Sequence, residues 1–188
     1  MMEFNKDTYR TPKYIINYIR IRYGYWNAWV DGCATSQNAV FDSYIGKFGV
    51  AEDFLAFDPL EIVCDFADHT LSFFVNPPYS NPLPYVKRAA ELKELGFLVV
   101  MLLPCDKSVE WFKVIEEKAT EVIDITGYYD DNGRWKNGRI SFLHPTTGEE
   151  VKGNNKGSMI VAFDPADTTL VTRTVALNHI KKLGQIYG

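Results

Sequence analysis

The chain has 188 residues, 46% of them hydrophobic, and a formal net charge of −4. That is long enough for one domain with a real core and too apolar for disorder. The acidic balance excludes a protein held on nucleic acid by bulk positive charge, so any such contact must use a local basic patch and depend on salt.

The N-terminus, Met1 to Arg10, is polar and shows no apolar signal core. Thr11-Pro12 reads as a helix start, Thr as N-cap and Pro at the first helical position, with the helix running from Lys13 to Tyr23 and stopping at Gly24. Tyr25 to Val30 alternates as a first strand and ends at Asp31-Gly32-Cys33-Ala34. Short helical pieces are expected at Gln37 to Tyr44 and Ala51 to Phe57. Leu60 to Cys64 is apolar and strand-like, with Asp58 before it and Asp65 just past it. Leu71 to Val75 is a buried strand, Ser80 to Pro84 a loop, and Tyr85 to Leu95 an amphipathic helix ended by Gly96.

Phe97 to Leu103 is a continuous apolar strand, as in a parallel sheet buried on both faces, and is far too short to cross a bilayer. Ser108 caps a helix from Val109 to Lys118, and Glu121 to Ile125 is the next strand. Arg139 to Leu143 is a short strand, Ser158 to Phe163 the last strand, and Thr169 to Leu183 a closing helix. The alternation of strand and helix marks an α/β fold. Cys33, Cys64 and Cys105 are widely spaced and form no CxxC pair, as in reduced cytosolic thiols. His69, His144 and His179 are too far apart to read as a metal site. A cytoplasmic protein without membrane or metal is expected.

The most informative stretch is Asn76-Pro77-Pro78-Tyr79. Two prolines cannot continue a central strand, so the chain leaves the sheet at the carboxyl end of the strand. That edge is where open α/β sheets bind ligands. An exocyclic amine is a poor nucleophile because its lone pair is delocalised into the ring. Two acceptors aimed at its protons, the Asn76 side-chain oxygen and the Pro77 carbonyl, pull the nitrogen toward tetrahedral geometry. Pro78 stiffens the array, and Tyr79 stacks on the base. This chemistry is methyl transfer to an amine.

A methyl donor such as S-adenosylmethionine needs a tight turn after the first strand and carboxylates at strand ends. Asp31 with Cys33 and Ala34 serves the first, and either Asp58 or Asp65 is placed to reach a ribose or an adenine amine. GxGxxG is absent, which argues against a nicotinamide or flavin enzyme.

Residues 127–157 break the α/β alternation. They carry Asn132-Gly133 and Asn137-Gly138, both hairpin signals. Arg134, Lys136 and Arg139 are interleaved there with Tyr128, Tyr129, Trp135 and Phe142. Such a mixture suits phosphate contacts and base stacking. The acidic neighbours Asp130, Asp131, Glu149 and Glu150 suit an ordinary solvated hairpin equally well.

Taken together, Thr11-Pro12, Asp31-Gly32-Cys33-Ala34, Asn38-Ala39, Asp65-Phe66, Asn76-Pro77-Pro78-Tyr79-Ser80 and Gly138-Arg139-Ile140-Ser141-Phe142 resemble the phage-type DNA N6-adenine methyltransferases, the Dam-like family. The resemblance implies a Rossmann-like S-adenosylmethionine-dependent methyltransferase fold with a doubly wound, mostly parallel sheet. It implies direct methylation of a flipped adenine in double-stranded DNA, in a protein of phage or prophage origin. It also implies that Thr11 and Pro12 seat the methionine end of the cofactor near Asp31, and that Asp65 reads its adenine. Asp58 is carried over for the ribose. A single domain over residues 1–188 is expected, with 127–157 as the DNA-contacting insertion. Other acceptors for the same tetrapeptide are adenine in RNA or a protein glutamine. The rival from another class is a non-catalytic DNA-binding or host-interaction protein on this scaffold.

Overall fold

The computed structural model describes residues 9–63, 70–151 and 154–186. Asp65 and Phe66 lie outside the described residues. Among the described residues fourteen elements run in the order α1 (Lys13–Tyr23), β1 (Ala28–Asp31), β2 (Ser43–Tyr44), α2 (Pro59–Val63), β3 (Leu71–Val75), α3 (Leu83–Glu94), β4 (Leu98–Pro104), α4 (Glu110–Lys118), β5 (Glu121–Thr126), β6 (Tyr128–Tyr129), β7 (Trp135–Lys136), β8 (Ser158–Phe163), β9 (Val171–Ala176) and α5 (Leu177–Ile186).

One seven-stranded sheet has the order β2-β1-β3-β4-β8-β5-β9. Neighbours pair in parallel except around β8, which runs against β4 and β5. β6 and β7 form a separate antiparallel pair. The alternation of β3 and β4 sorts their side chains between two cores. Phe73, Val75, Val99, Met101 and Leu103 meet Val86, Ala89, Leu92, Trp111 and Ile115 of α3 and α4. Phe74, Val100 and Leu102 meet Ile15, Ile16 and Ile19 of α1 and Leu177 and Ile180 of α5. The result is the three-layered, mostly parallel α/β architecture of a Rossmann-like methyltransferase. No described helix is long and apolar enough to cross a membrane.

Several expected elements differ. Leu60 belongs to helix α2, not to a strand, because Pro59 occupies its first position and the Asp58 carboxylate accepts the Leu60 N–H at 2.9 Å. A short apolar run does not reveal its own period. Residues 37–42 are turns instead of a helix, since Asn38 Oδ1 takes the Thr35 N–H at 2.7 Å and Asp31 Oδ2 the Val40 N–H at 3.1 Å. Residues 51–57 are likewise irregular, with Asp53 Oδ1 accepting the Leu55 N–H at 2.9 Å. The first strand begins at Ala28, leaving Tyr25 and Trp26 in the preceding turn.

Residues 139–142 form no strand; only Leu143 bridges, to Arg10 and Glu150. Ile140 and Phe142 are buried, so packing rather than a ladder holds this segment. The expected closing helix splits. Val171 to Val175 is β-branched at most positions and pairs with β5 as the edge strand, and the helix starts only at Leu177. Helix α3 starts two residues earlier than expected, at Leu83, and α4 has Val109, not Ser108, at its N-cap.

At the amino edge of the sheet, Glu121 of β5 ties α1 to β9. It accepts hydrogen bonds from Arg22 Nε at 2.7 Å, Tyr23 Oη at 2.6 Å and Arg173 Nε. Burial alone would raise its pKa, but these donors outweigh burial and hold it at about 2. Its contribution is therefore present above the ordinary carboxylate range and is lost as pH falls toward 2. Glu121→Gln is expected to cost about 2–3 kcal/mol of stability at pH 7. Urea unfolding checks it, and equal midpoints for variant and parent at pH 7 would show the cluster to be neutral.

Candidate active site

The site forms between β1 and β3. From β1 the chain turns back toward β2, placing Val40 and Phe41 on the α1 and α5 face. From β3 it crosses the opposite face through α3 to reach β4. Connections that diverge from adjacent parallel strands open a crevice at their carboxyl ends. Register places Asp31 level with Phe74, two residues short of Asn76.

Gly32 makes the turn after β1 possible. A Cβ there would lie 2.8 Å from the Phe54 ring and 2.9 Å from Val75. Its N–H donates to the Phe74 carbonyl at 2.7 Å. The next turn is organised by Asp31, which is buried. Its carboxylate accepts the Cys33 N–H at 3.2 Å and the Val40 N–H at 3.1 Å. Burial raises the Asp31 pKa to about 6, although both N–H groups and the charge of Arg10 pull it back. Arg10 itself is anchored by donating to the Ala39 carbonyl at 3.1 Å. The Cys33 thiol is pushed well up by burial and by Asp31 and Asp53, and so stays neutral.

Asn76 leaves β3 as expected. Its Nδ2 donates to Thr11 Oγ1 at 3.2 Å, and its Oδ1 is buried without a partner. A buried acceptor with no donor is costly and calls for an explanation. Thr11 therefore does not cap α1. Pro12 is the N-cap residue and makes no side-chain cap bond. The Thr11 hydroxyl is used across the sheet edge instead, where it accepts from the Asn76 amide and leaves its oxygen free of any partner. Thr11→Val should lower kcat about tenfold, because a loosened amide no longer presents its oxygen in one position, and leave the melting temperature nearly unchanged. Steady-state kinetics beside a thermal melt would check this, and an unaltered kcat would remove Thr11 from the site.

Tyr79 turns inward. Its hydroxyl is buried without a partner, and burial pushes its pKa well above the ordinary phenol range. Its ring meets Phe142 edge-on at 6.2 Å, with planes at 79°. Phe142 is brought there by paired backbone hydrogen bonds between Arg10 and Leu143, at 2.8 and 2.9 Å. One segment thus joins the helix start, the tyrosine and the hairpin.

A pocket is lined by Tyr9, Thr11, Asp31, Cys33, Asn38, Val40, Phe74 and Asn76. The structure thus brings together five of the residues singled out from sequence: Thr11, Asp31, Cys33, Asn38 and Asn76. Pro12 and Ala34 are buried beside them in chain, and the Ala34 N–H donates to the Ile45 carbonyl at 3.2 Å. Asp58 is exposed and caps α2. Arg134, Lys136 and Arg139 are exposed, with Lys136 Nζ 3.5 Å from Asp130. Sequence reasoning missed Tyr9, Val40, Phe74 and the charge of Arg10. The alternation of β3 could have found Phe74, which must face away from Phe73.

The match to known proteins decides the family. The model of the family described as DNA N-6-adenine-methyltransferase (Dam) matches residues 1–187. The chain belongs to this family. Within the Dam family it is similar to the DNA N-6-adenine-methyltransferase of Haemophilus phage HP1 (strain HP1c1), 33% identical over 187 residues, which is 97% of this chain and 94% of the relative. It is also 33% identical over 161 residues to the DNA N-6-adenine-methyltransferase of Escherichia phage T1. That match covers 82% of this chain but 61% of the T1 relative, so the chain spans less than two thirds of that protein.

Proposed function

We propose that the chain methylates the exocyclic amine of an adenine flipped out of double-stranded DNA, with S-adenosylmethionine as donor. One observation carries this reading: Asn76 Oδ1 is a buried acceptor without a donor, on an amide whose Nδ2 is bound to Thr11 and which lines one pocket together with Asp31. A stable fold gains nothing from an orphaned acceptor; an incoming N–H satisfies it. Family membership names the amine.

The pocket suits the proposed donor. An amino-acid end carries an ammonium, for which Asp31 would be the carboxylate; Thr11 and Cys33 line the same pocket, and Pro12 and Ala34 adjoin them in the chain. Asp58 and Asp65 remain the proposed contacts to ribose and adenine. The cofactor supplies an electrophilic methyl group on a sulfonium. The chain's own part is to hold the acceptor. Asn76 Oδ1 and the Pro77 carbonyl would each accept a hydrogen bond from one amine N–H, drawing the nitrogen out of conjugation, and the one proton displaced by the methyl group would leave to solvent. The proline pair keeps both oxygens fixed, so little ordering remains for the transition state. Tyr79, braced by Phe142, bounds the base. No covalent enzyme intermediate is needed, in keeping with the neutral Cys33 thiol.

The hairpin β6–β7 starts directly after the carboxyl end of β5, on the same sheet edge as Asn76. Tyr129 and Trp135 stack edge-on at 5.2 Å and are 69% and 60% exposed. Arg134, Lys136 and Arg139 are the proposed phosphate contacts. Replacing Arg134 and Lys136 together should reduce the salt slope of DNA binding by about two units while cofactor affinity holds. An unaltered slope would move DNA contact away from the hairpin.

The function itself is tested by offering labelled cofactor to DNA, RNA and protein acceptors, then mapping the labelled atom. Label on adenine N6 in duplex DNA is the expected result. Label only on RNA or on a glutamine amide would replace the acceptor, and no transfer to any of them would leave a binding protein.

A further inference from the structure

Among the described residues Phe48 is the only non-glycine in the left-handed backbone region, at φ 69°. A bulky side chain rarely adopts that conformation. The same residue is 84% exposed. Strain and exposure both work against the folded state, so the fold itself does not explain this side chain.

The loop that carries Phe48 is nevertheless well built. Gly46 N–H donates to the Ala51 carbonyl at 2.8 Å, Gly49 N–H to the Gly46 carbonyl at 2.8 Å and Val50 N–H to the Tyr44 carbonyl at 2.9 Å. The Tyr44 hydroxyl donates to the Lys47 carbonyl at 3.3 Å. A Cβ on Gly46 would lie 1.9 Å from the Ala34 carbonyl oxygen, and one on Gly49 would lie 2.1 Å from that of Tyr44. Only glycines close this loop, and they fix its tip outward. Lys47 Nζ stands 5.0 Å over the Phe48 ring.

The loop follows β2, which runs parallel to β1. It therefore lies on the same sheet edge as Asp31 and Asn76, on the flank away from the hairpin. Strands β2 and β5 are five spacings apart in the sheet order. At about 4.8 Å per spacing, the two strands from which the aromatic tips project stand about 24 Å apart, or about seven base steps of duplex.

We propose that Lys47 and Phe48 form a second DNA contact, opposite the hairpin, in which Phe48 stacks on a base and Lys47 meets a phosphate. This rests on the reading of the chain as a DNA methyltransferase. A cation beside an exposed ring is the pairing that single-stranded or unstacked nucleic acid takes. Flipping one adenine leaves an unstacked neighbour for such a ring to cover.

The test first maps methylated adenines with the wild-type chain to obtain a target duplex. Anisotropy then measures binding of labelled duplexes of increasing length, with S-adenosylhomocysteine present. Phe48→Ala should lose about tenfold or more in DNA affinity, and Phe48→Trp should retain it. Affinity for S-adenosylhomocysteine by calorimetry should be unchanged in both. Phe48→Asn, suited to the left-handed region, should melt no lower than wild type while binding DNA weakly. Wild-type affinity should stop rising once the duplex exceeds about seven base pairs. Unchanged DNA affinity in Phe48→Ala overturns the proposal. So does a loss of S-adenosylhomocysteine affinity in that variant, which would make the loop a cofactor lid. A wild-type chain that methylates no DNA overturns the proposal together with the reading it rests on.

Discussion

Asn76→Ala should lower kcat by at least about 100-fold, the scale of removing one preorganised hydrogen-bonding group from a transition state. Cofactor affinity should hold, because the amide addresses the acceptor amine. Stability gives an independent reading. Asn76 Oδ1 is buried and unpartnered, and an orphaned acceptor costs about 1–3 kcal/mol. The alanine variant should therefore melt at or above the parent temperature, as expected where a site residue is kept against stability. Asn76→Asp retains an acceptor and can take a hydrogen bond from Thr11, so it should keep more activity than alanine. Equal loss in both variants would show that something other than accepting a hydrogen bond matters at this position. Wild-type turnover in the alanine variant would sink the mechanism.

Asp31 predicts a pH profile. Burial raises its folded pKa from 3.8 to about 6. A carboxylate raised in this way binds its proton more tightly when folded. Its stabilising contribution is full below the unfolded value and is lost as pH rises through about 6, so at neutral pH the buried charge is a burden on the fold. On the proposed reading, the ammonium of the cofactor would offset that burden. Cofactor affinity should be highest above pH 6 and fall as pH drops through it, since a protonated Asp31 no longer attracts an ammonium. Asp31→Asn should weaken binding by about 1–3 kcal/mol at pH 8 and flatten the profile. Calorimetry from pH 5 to pH 8 would show it. A parallel pH dependence in the variant would assign the titration to another group.

Much of the candidate site's placement at strand ends was legible in the chain itself, for a local reason. A proline pair after an apolar run cannot remain in a sheet, so Asn76 had to stand at a strand end wherever that strand lay. Asp31 before Gly32 followed the same logic at the first strand. Helices α1, α3 and α4 and strands β3, β4 and β8 were readable because their periods are long or their apolar runs unbroken.

The tertiary structure alone decided the rest. Leu60 and Val171 sit in runs too short to show a period, and what settled them was a capping aspartate in one case and the open edge of β5 in the other. The Thr11 hydroxyl looked like a cap in sequence. Only the juxtaposition of α1 with the end of β3 shows that it holds Asn76. Phe142 seemed to belong to a projecting hairpin, yet burial beside Tyr79 draws it into the site. Likewise the strain at Phe48 arises because backbone hydrogen bonds close its loop around two glycines, and no residue-by-residue pattern records how a loop closes. Pattern reveals which groups leave the sheet, because that depends on neighbours in the chain. Which groups then meet depends on packing between elements far apart in sequence.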